Sequence, residues 1–418
     1  MSKIKILTLG DHPLVMSGVG IQTRYFIEGM LKTNKYEFVS LAGATKHQDM
    51  NPIITEEYGE SWKIIPVDDY GNQEIVRAVI RSERPDMVWL MTDPRFWEWL
   101  WSMEDEIRPL IPIVYYHVWD NYPYPMFNKK FYDSNDAIAT ISKVTSDIVR
   151  TVSPDVEEVY IPHAVDSEVY KKYSAIDVAR FKKEHFGNDD AFLFFWNNRN
   201  ARRKQSGTLI WWFKEFLDSR KSDEDIRLIM HTDPNDPYGT DLEKVIADCK
   251  IGDGKVLISP AKYPPEQMAM LYNCCDCTLN ISDAEGFGLA TLESLSCETP
   301  IIATMTGGLQ EQVMDEDENM FGFGIMPASK SVIGSQQVPY IYEDRISKQA
   351  FLDAMTEMVD MSKEEREQLG AAGREHTLKN YNMDTNMKKW DELLTKVYEE
   401  CGSWDTRKNY KSWEMIEV

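Results

Sequence analysis

A repeated exchange between short apolar runs and longer amphipathic stretches governs what this chain can become. Lys5–Leu9 reads as a buried strand closed by Gly10, and Val19–Leu31 as a helix with Ile21, Tyr25, Met30 and Leu31 near one face. Glu37–Leu41, Lys63–Val67, Asp86–Met91, Ile111–Tyr116, Ala137–Ile141 and Val159–Ile161 follow as strands, with helices such as Gln73–Arg81 and Val144–Thr151 between them. Short strands that alternate with helices belong to a mostly parallel sheet covered on both faces.

The rhythm then breaks and restarts. Residues 164–188 are polar, charged and poor in apolar runs, which predicts a linker. A second set of strands begins at Ala191–Trp196 and continues through Ile226–His231, Lys255–Ile258, Cys277–Ile281 and Pro300–Thr304. Helices are predicted at Gly207–Leu217, Glu266–Tyr272 and Gly288–Cys297. From about Phe351 the pattern reads as three helices, the last near Thr385–Glu400 with Trp390, Leu393, Leu394 and Val397 on one face. The expected organisation is an α/β chain of two Rossmann-like domains, over 1–163 and 189–384, joined by 164–188 and followed by a helical segment over 385–418. A chain of 418 residues has the length for two cores.

Charge and cysteine usage narrow the partners. A net charge of -23 repels nucleic-acid backbones and anionic lipid, so nonspecific binding to either is disfavoured. Cys274, Cys275 and Cys277 are nearly contiguous, a poor disulfide framework that fits a reducing compartment. Cys274 and Cys277 form a C-x-x-C with no second Cys/His pair at zinc-like spacing, so small buried residues at a helix-to-strand step are the simpler reading. The opening residues are too short an apolar run for a signal peptide, and no run of ~18 apolar residues exists to span a bilayer. A cytoplasmic protein without stable membrane insertion is expected.

Three motifs stand where a doubly wound sheet binds ligands, at strand carboxyl ends. The strongest is Asp283-Ala-Glu285-Gly-Phe-Gly-Leu-Ala-Thr-Leu-Glu293, between a predicted strand and a predicted helix. Gly286 and Gly288 let backbone N–H groups approach an anion, and the helix start adds positive dipole. The second is Asn197-Asn-Arg199-Asn-Ala-Arg202-Arg203-Lys204, a concentration of cations unusual in so acidic a chain and suited to a diphosphate. The third, Ser17-Gly18-Val19-Gly20, is a partial glycine loop after the first strand. Taken singly, an exposed acidic helix start, a solvated basic loop and a tight turn would explain them.

Together and in this order they resemble family 4 of the retaining glycosyltransferases, which has the two-lobed GT-B fold. Glu285 and Glu293 resemble that family's paired glutamates, and Pro300–Thr304 and Thr306–Glu311 the segment that follows them. Arg199 and Lys204 match its diphosphate-binding pair. Ala139–Ser142 and Ile161–Asp166 match the end of its first lobe. The resemblance implies a donor sugar held in the cleft between lobes, with Glu285 on sugar hydroxyls and Glu293 on the ribose. Arg199 and Lys204 would face the leaving diphosphate. Backbone groups of Gly286, Phe287, Gly288 and Leu289 would hold sugar and phosphate, and Gly18 and Gly20 would approach from the first lobe. It gives His117 a first-lobe active-site role; read from the residues alone, His117 is a satisfied core histidine. The pattern departs at Asn198 and Gln205, where glycines are usual, and at His163, where asparagine is common.

The implied reaction is transfer of a hexose from a UDP- or GDP-sugar with retained configuration. It needs no metal and no cofactor: no Asp-x-Asp box follows a strand, and Asp233 and Asp236 read as a polar turn. Trp119, Tyr122 and Tyr124, in the loop after His117, are the candidate acceptor side, because such rings stack on sugars. A glycan is the first choice of acceptor, with a DNA base, a protein side chain or a lipid headgroup as alternatives. Rival readings are a sugar phosphorylase, a nucleotide-sugar epimerase, or a two-lobed binding protein that clamps a ligand without turnover. A dinucleotide oxidoreductase lacks its G-x-G-x-x-G here.

Overall fold

The computed structural model describes residues 3–221 and 223–411. The chain divides into two units, Met1–His163 with Asp384–Val418, and Ala164–Met383. Each is built on one sheet.

The first unit carries an eight-stranded sheet in the order β3-β4-β2-β1-β5-β6-β7-β8. Its strands are β1 (Ile4–Asp11), β2 (Tyr36–Gly43), β3 (Ile53–Ile54), β4 (Trp62–Pro66), β5 (Met87–Met91), β6 (Ile113–His117), β7 (Ala137–Thr140) and β8 (Glu157–Tyr160). All neighbours are parallel except β3 on β4. The central strands are buried throughout, Met87–Met91 and Ile113–His117 without an exposed position, which explains why their sequences are apolar runs instead of alternating patterns. The helix Gly18–Lys32 follows β1. Ser17 caps it by accepting from the Gly20 N–H at 3.0 Å.

The helix Met383–Cys401 packs on this unit. Trp390, fully buried, lies 4.8 Å from the Phe26 ring and 4.9 Å from that of Tyr116, and Phe26 stacks on Trp89 at 4.5 Å. Burying an indole of this kind contributes on the order of 3 kcal/mol. At the same contact Asp391 accepts from the Tyr36 hydroxyl at 2.7 Å and pairs with Lys35 at 2.6 Å. The end of the 385–418 segment, beyond residue 411, lies outside the described residues.

The second unit has a six-stranded parallel sheet ordered β11-β10-β9-β12-β13-β14. These strands are β9 (Phe192–Asn197), β10 (Ile226–His231), β11 (Val256–Ser259), β12 (Cys277–Asn280), β13 (Ile301–Thr304) and β14 (Gly322–Ile325). Phe194, Trp196, Leu228 and Leu279 of the strands meet Leu209, Phe213 and Phe216 of the helix Ser206–Ser219 in its core. An antiparallel hairpin, β15 (Pro327–Ile333) with β16 (Ile341–Ile346), extends from β14.

Two expectations change. The stretch 164–188 is no bare linker: it holds the helix Ala175–Phe186, capped by Ser174 and closed by Gly187 in the left-handed conformation. That helix has no buried residue, so it lacks the apolar stripe that would have marked it. The β15–β16 hairpin carries no clear signal in the sequence either, because its strands are largely exposed and mixed in polarity. The cysteines are free, and those of the C-x-x-C are buried; burial pushes the Cys274 and Cys277 thiols up, as befits packed side chains.

Candidate active site

In each sheet the chain first moves one way from its starting strand and later returns to build on the other side. The resulting switch points lie between β1 and β5 in the first unit and between β9 and β12 in the second. Ligands of doubly wound sheets bind at such points, outside the carboxyl ends of the strands.

At the second unit's switch point two loops leave the sheet side by side. After β9 the chain passes through a 3-10 turn, Arg202–Lys204, and enters the helix Ser206–Ser219. Gln205 joins the two with φ +57°, a conformation glycine would adopt without cost. Its amide offsets the strain by donating to Asp283 Oδ2 at 2.6 Å and accepting from the Thr208 hydroxyl at 2.7 Å. After β12 the chain runs through Glu285 to Gly288 and starts the helix Leu289–Ser296. Gly288 has φ +91°, a conformation that strains any other side chain, and a Cβ there would also crowd Leu309 Cδ2 at 2.5 Å. No side chain caps this helix. Its first turn holds no acidic residue either, an arrangement suited to an anion.

The charged groups converge on the same spot. The Lys204 ammonium pairs with the Glu285 carboxylate, and Arg203 Nη1 lies 3.9 Å from that carboxylate and 2.8 Å from the Ala284 carbonyl it donates to. The Lys204 side chain is only 7% exposed and that of Glu285 12%, so each is shielded enough to need the other. Burial opposes ionisation of Glu285, yet Lys204 and Arg203 hold its carboxyl below the ordinary range. An ionic lattice braces the turn: Arg202 makes a fork to buried Glu343 at 2.8 and 2.5 Å, and Arg345 pairs with Glu343 at 2.8 Å and with Asp283 at 2.5 Å. The hairpin thus anchors the cationic loop.

Arg199 is placed differently from its expected role. Its guanidinium turns to Asp236, with Nε 2.6 Å from Oδ2, and lies over the Tyr238 ring at 4.9 Å, while its side chain is 63% exposed. The structure brings Lys204 and Glu285 together and seats Arg203, not Arg199, beside them. Asp236, in the polar turn after β10, offers Arg199 a nearer carboxylate. Arg203 was visible in the basic run; only its place directly before Lys204 could have singled it out. Glu293 lies on the Leu289–Ser296 helix, where Oε2 accepts from the Tyr272 hydroxyl at 2.8 Å. Burial pushes its carboxyl up to about 7. The Phe287 ring is buried and its carbonyl accepts from Gln312 at 2.7 Å, which locks the glycine loop; Gly286 and Leu289 flank it. Asn198 Nδ2, Thr232 Oγ1 and Thr304 Oγ1 are buried without a hydrogen-bond partner, all at or just past the ends of β9, β10 and β13. Buried polar groups left unpaired concentrate where a polar ligand would sit.

The first unit's switch point is arranged otherwise. Gly18 opens the helix after β1, but the Gly20 N–H already serves Ser17 Oγ, and a Cβ at Gly20 would meet the Val15 carbonyl oxygen at 2.7 Å. Gly20 therefore has a packing reason for its identity. Ser17 Oγ donates to Asp11, whose other oxygen accepts from Tyr70 at 3.0 Å. His117 ends β6 fully buried; its Nε2 meets the Tyr132 hydroxyl at 2.7 Å and its Nδ1 has no partner. Burial pushes it down to about 3, so it stays neutral at ordinary pH. Trp119 is buried, donating to the Asn121 carbonyl at 3.0 Å. Tyr122 and Tyr124 pack edge to face at 5.1 Å, and both hydroxyls donate to Asp147, at 2.9 and 2.8 Å.

Among the described residues no cluster of three or more His, Cys, Asp or Glu is arranged to hold a metal, and no helix is long and apolar enough to cross a membrane. Residues 177–376 match the family model described as Glycosyl transferases group 1. A D-inositol 3-phosphate glycosyltransferase of Acidothermus cellulolyticus is 31% identical over 105 residues, 24% of this chain and 23% of that protein. One of Pseudarthrobacter chlorophenolicus is 25% identical over 177 residues, 42% of this chain and 41% of that one. The matched stretch thus spans well under half the length of these relatives. Among solved structures, the sucrose-phosphate synthase of Thermosynechococcus elongatus superposes with a TM-score of 0.75 at 16% identity, covering 95% of this chain and all of that one. HepE of Anabaena, solved with UDP and glucose, superposes at 0.70 with 14% identity over 94% of this chain and all of its own. The fold is GT-B, and residues 177–376 are similar to the group 1 glycosyltransferases.

Proposed function

We propose that this chain, whose residues 177–376 match the group 1 glycosyltransferase model, is a retaining glycosyltransferase that uses a UDP- or GDP-hexose as donor. One observation carries the reading: the shielded Lys204–Glu285 pair, with Arg203 beside it, at the switch point of the second sheet. A diphosphate arriving at the uncapped helix start competes for the Lys204 ammonium. That competition frees Glu285 to accept from sugar hydroxyls. HepE, of the same fold, has been solved with UDP-glucose, which supports a nucleotide-sugar donor.

The reaction breaks the bond between sugar C1 and the diphosphate oxygen, with oxocarbenium character at C1 and negative charge growing on the departing oxygens. Lys204, Arg203 and the first amides of the Leu289–Ser296 helix stabilise that charge where it develops. Side chains supply the neutralisation, so the reading assigns no part to a metal. The acceptor oxygen bonds to C1 on the face the diphosphate leaves, and its proton passes to the leaving phosphate. His117, buried and neutral, is fitted to hydrogen bonding and not to proton transfer at ordinary pH.

The acceptor is read as the hydroxyl of an uncharged glycan at the Trp119–Tyr124 loop. A second reading, a phosphorylated polyol, is favoured by the names of the relatives. A phosphate on the acceptor would call for a cation near that loop, whereas Tyr122 and Tyr124 both rest on Asp147. The test incubates the protein with UDP- and GDP-hexoses and a panel of oligosaccharides and inositol phosphates. Release of nucleoside diphosphate with formation of a retained glycoside is the expected result. Phosphate-dependent formation of sugar phosphate, or binding without release, would sink the transferase reading in favour of a phosphorylase or a clamp.

A further inference from the structure

Tyr272 is fully buried in the helix Pro265–Cys274, yet its hydroxyl serves two partners. It accepts from Asn197 Nδ2 at 2.8 Å and donates to Glu293 Oε2 at 2.8 Å. Asn197 is the last residue of β9, from which the chain runs straight into the loop bearing Arg203 and Lys204. One phenol therefore connects, from beneath, the two strand-to-helix loops that form the switch point. Its backbone is fixed as well, because the Thr299 hydroxyl donates to the Tyr272 carbonyl at 2.8 Å.

We infer that Tyr272 is a positioning residue which holds Glu293 as an aimed, ionised acceptor for the ribose diol of the donor and couples that grip to the diphosphate loop through Asn197. The inference rests on the donor site proposed above. A diol is held by a carboxylate whose two oxygens can both accept; a protonated carboxyl has lost one of them. Glu293 must stay ionised in shielded surroundings. The groups that act on it are the Tyr272 hydroxyl from the Pro265–Cys274 helix, the Tyr170 hydroxyl from the segment before the Ala175–Phe186 helix, and the Cys297 thiol at the end of its own helix. Among the described residues no lysine or arginine shifts its ionisation. Arg374, on the helix Lys363–Asn380 packed alongside, donates to the carbonyls of Tyr170 and Ser296. Burial raises the carboxyl to about 7, and the tyrosine hydroxyls pull it the other way. The ionised fraction thus depends on the Tyr272 hydrogen bond. Nucleotide affinity then strengthens as pH rises through this midpoint and weakens below it, and removing the hydroxyl moves the midpoint upward.

The test is calorimetric titration of UDP and of GDP into wild type, Tyr272→Phe, Asn197→Ala and Glu293→Gln, between about pH 6 and about pH 9, with a thermal melt of each. Tyr272→Phe keeps the ring and is expected to weaken binding about tenfold at pH 7, the scale of one hydrogen bond to a charged group, with most of the loss recovered at alkaline pH. Asn197→Ala is expected to act in the same sense and less, and to remain informative if Tyr272→Phe folds poorly. Glu293→Gln is expected to bind weakly at every pH. A purely structural role for Tyr272 would lower the melting temperature, or weaken binding equally across the range; either result, with no shift of midpoint, overturns the inference. Wild type that binds one nucleotide, with Tyr272→Phe and Asn197→Ala keeping its pH profile, overturns the inference and leaves the donor site standing. Wild type that binds neither nucleotide removes both.

Discussion

The two sheets reverse direction at equivalent points, and the two points are finished differently. In the second unit a helix starts uncapped behind Gly288, and Lys204, Arg203 and Glu285 gather in front of it. In the first, Ser17 caps the helix, the Gly20 amide is consumed by that cap, and Asp11 is satisfied by Ser17 and Tyr70. Topology supplies both with the same opportunity for binding; side chains decide which is left unsatisfied and so open to an anion. The acidic net charge makes the contrast sharper, since cations concentrated at one loop stand out in potential from the rest of the surface.

The largest expected effect breaks the pair at the second point. Lys204→Ala should cut turnover by about 10²–10³-fold while the protein stays folded, the scale for losing a preorganised charge on the leaving group. A steady-state assay with circular dichroism checks it, and near-normal rates would remove the site assignment. Glu285→Ala should fall by a similar factor, with the added cost of removing the carboxylate that pairs with the shielded Lys204 ammonium.

Arg203 and Arg199 offer a finer comparison within one loop. Arg203→Ala is expected to slow turnover roughly tenfold and Arg199→Ala less, because Asp236 already occupies the Arg199 guanidinium. The reverse order, measured as kcat/KM for the donor, would show that Arg199 leaves Asp236 when donor binds and would restore the role implied by the resemblance. The smallest effects belong to the first point. Ser17→Ala should cost about 1 kcal/mol of stability, read from denaturant unfolding, with little change in donor KM. A large rise in KM would place the donor phosphate at that helix as well. Treatment with EDTA should leave turnover intact, since the proposed mechanism assigns the neutralisation to side-chain cations; complete loss would contradict that assignment.

Much of this fold was legible in the chain because buried parallel strands must be apolar on both faces. Met87–Met91 and Ile113–His117 could be read for that reason. The helix Ala175–Phe186 and the β15–β16 hairpin escaped because they bury little and so carry no periodic signal. At the site, Glu285, Lys204 and Gly288 were legible from spacing and from their place between strand and helix. Arg203 and Tyr272 were not, for their importance lies in which partner they meet. Arg203 reaches Glu285 across 82 positions of chain, and Tyr272 draws Asn197 to Glu293 from a helix that belongs to neither loop.

The central claim is that the second unit's switch point is the anion site, and nucleoside diphosphate binding tests it most directly. Calorimetry of UDP and GDP should show one of them binding wild type and Ser17→Ala alike, with affinity lost by about a hundredfold in Lys204→Ala. Equal affinity in wild type and Lys204→Ala, or no binding of either nucleotide by the wild-type protein, would contradict the account.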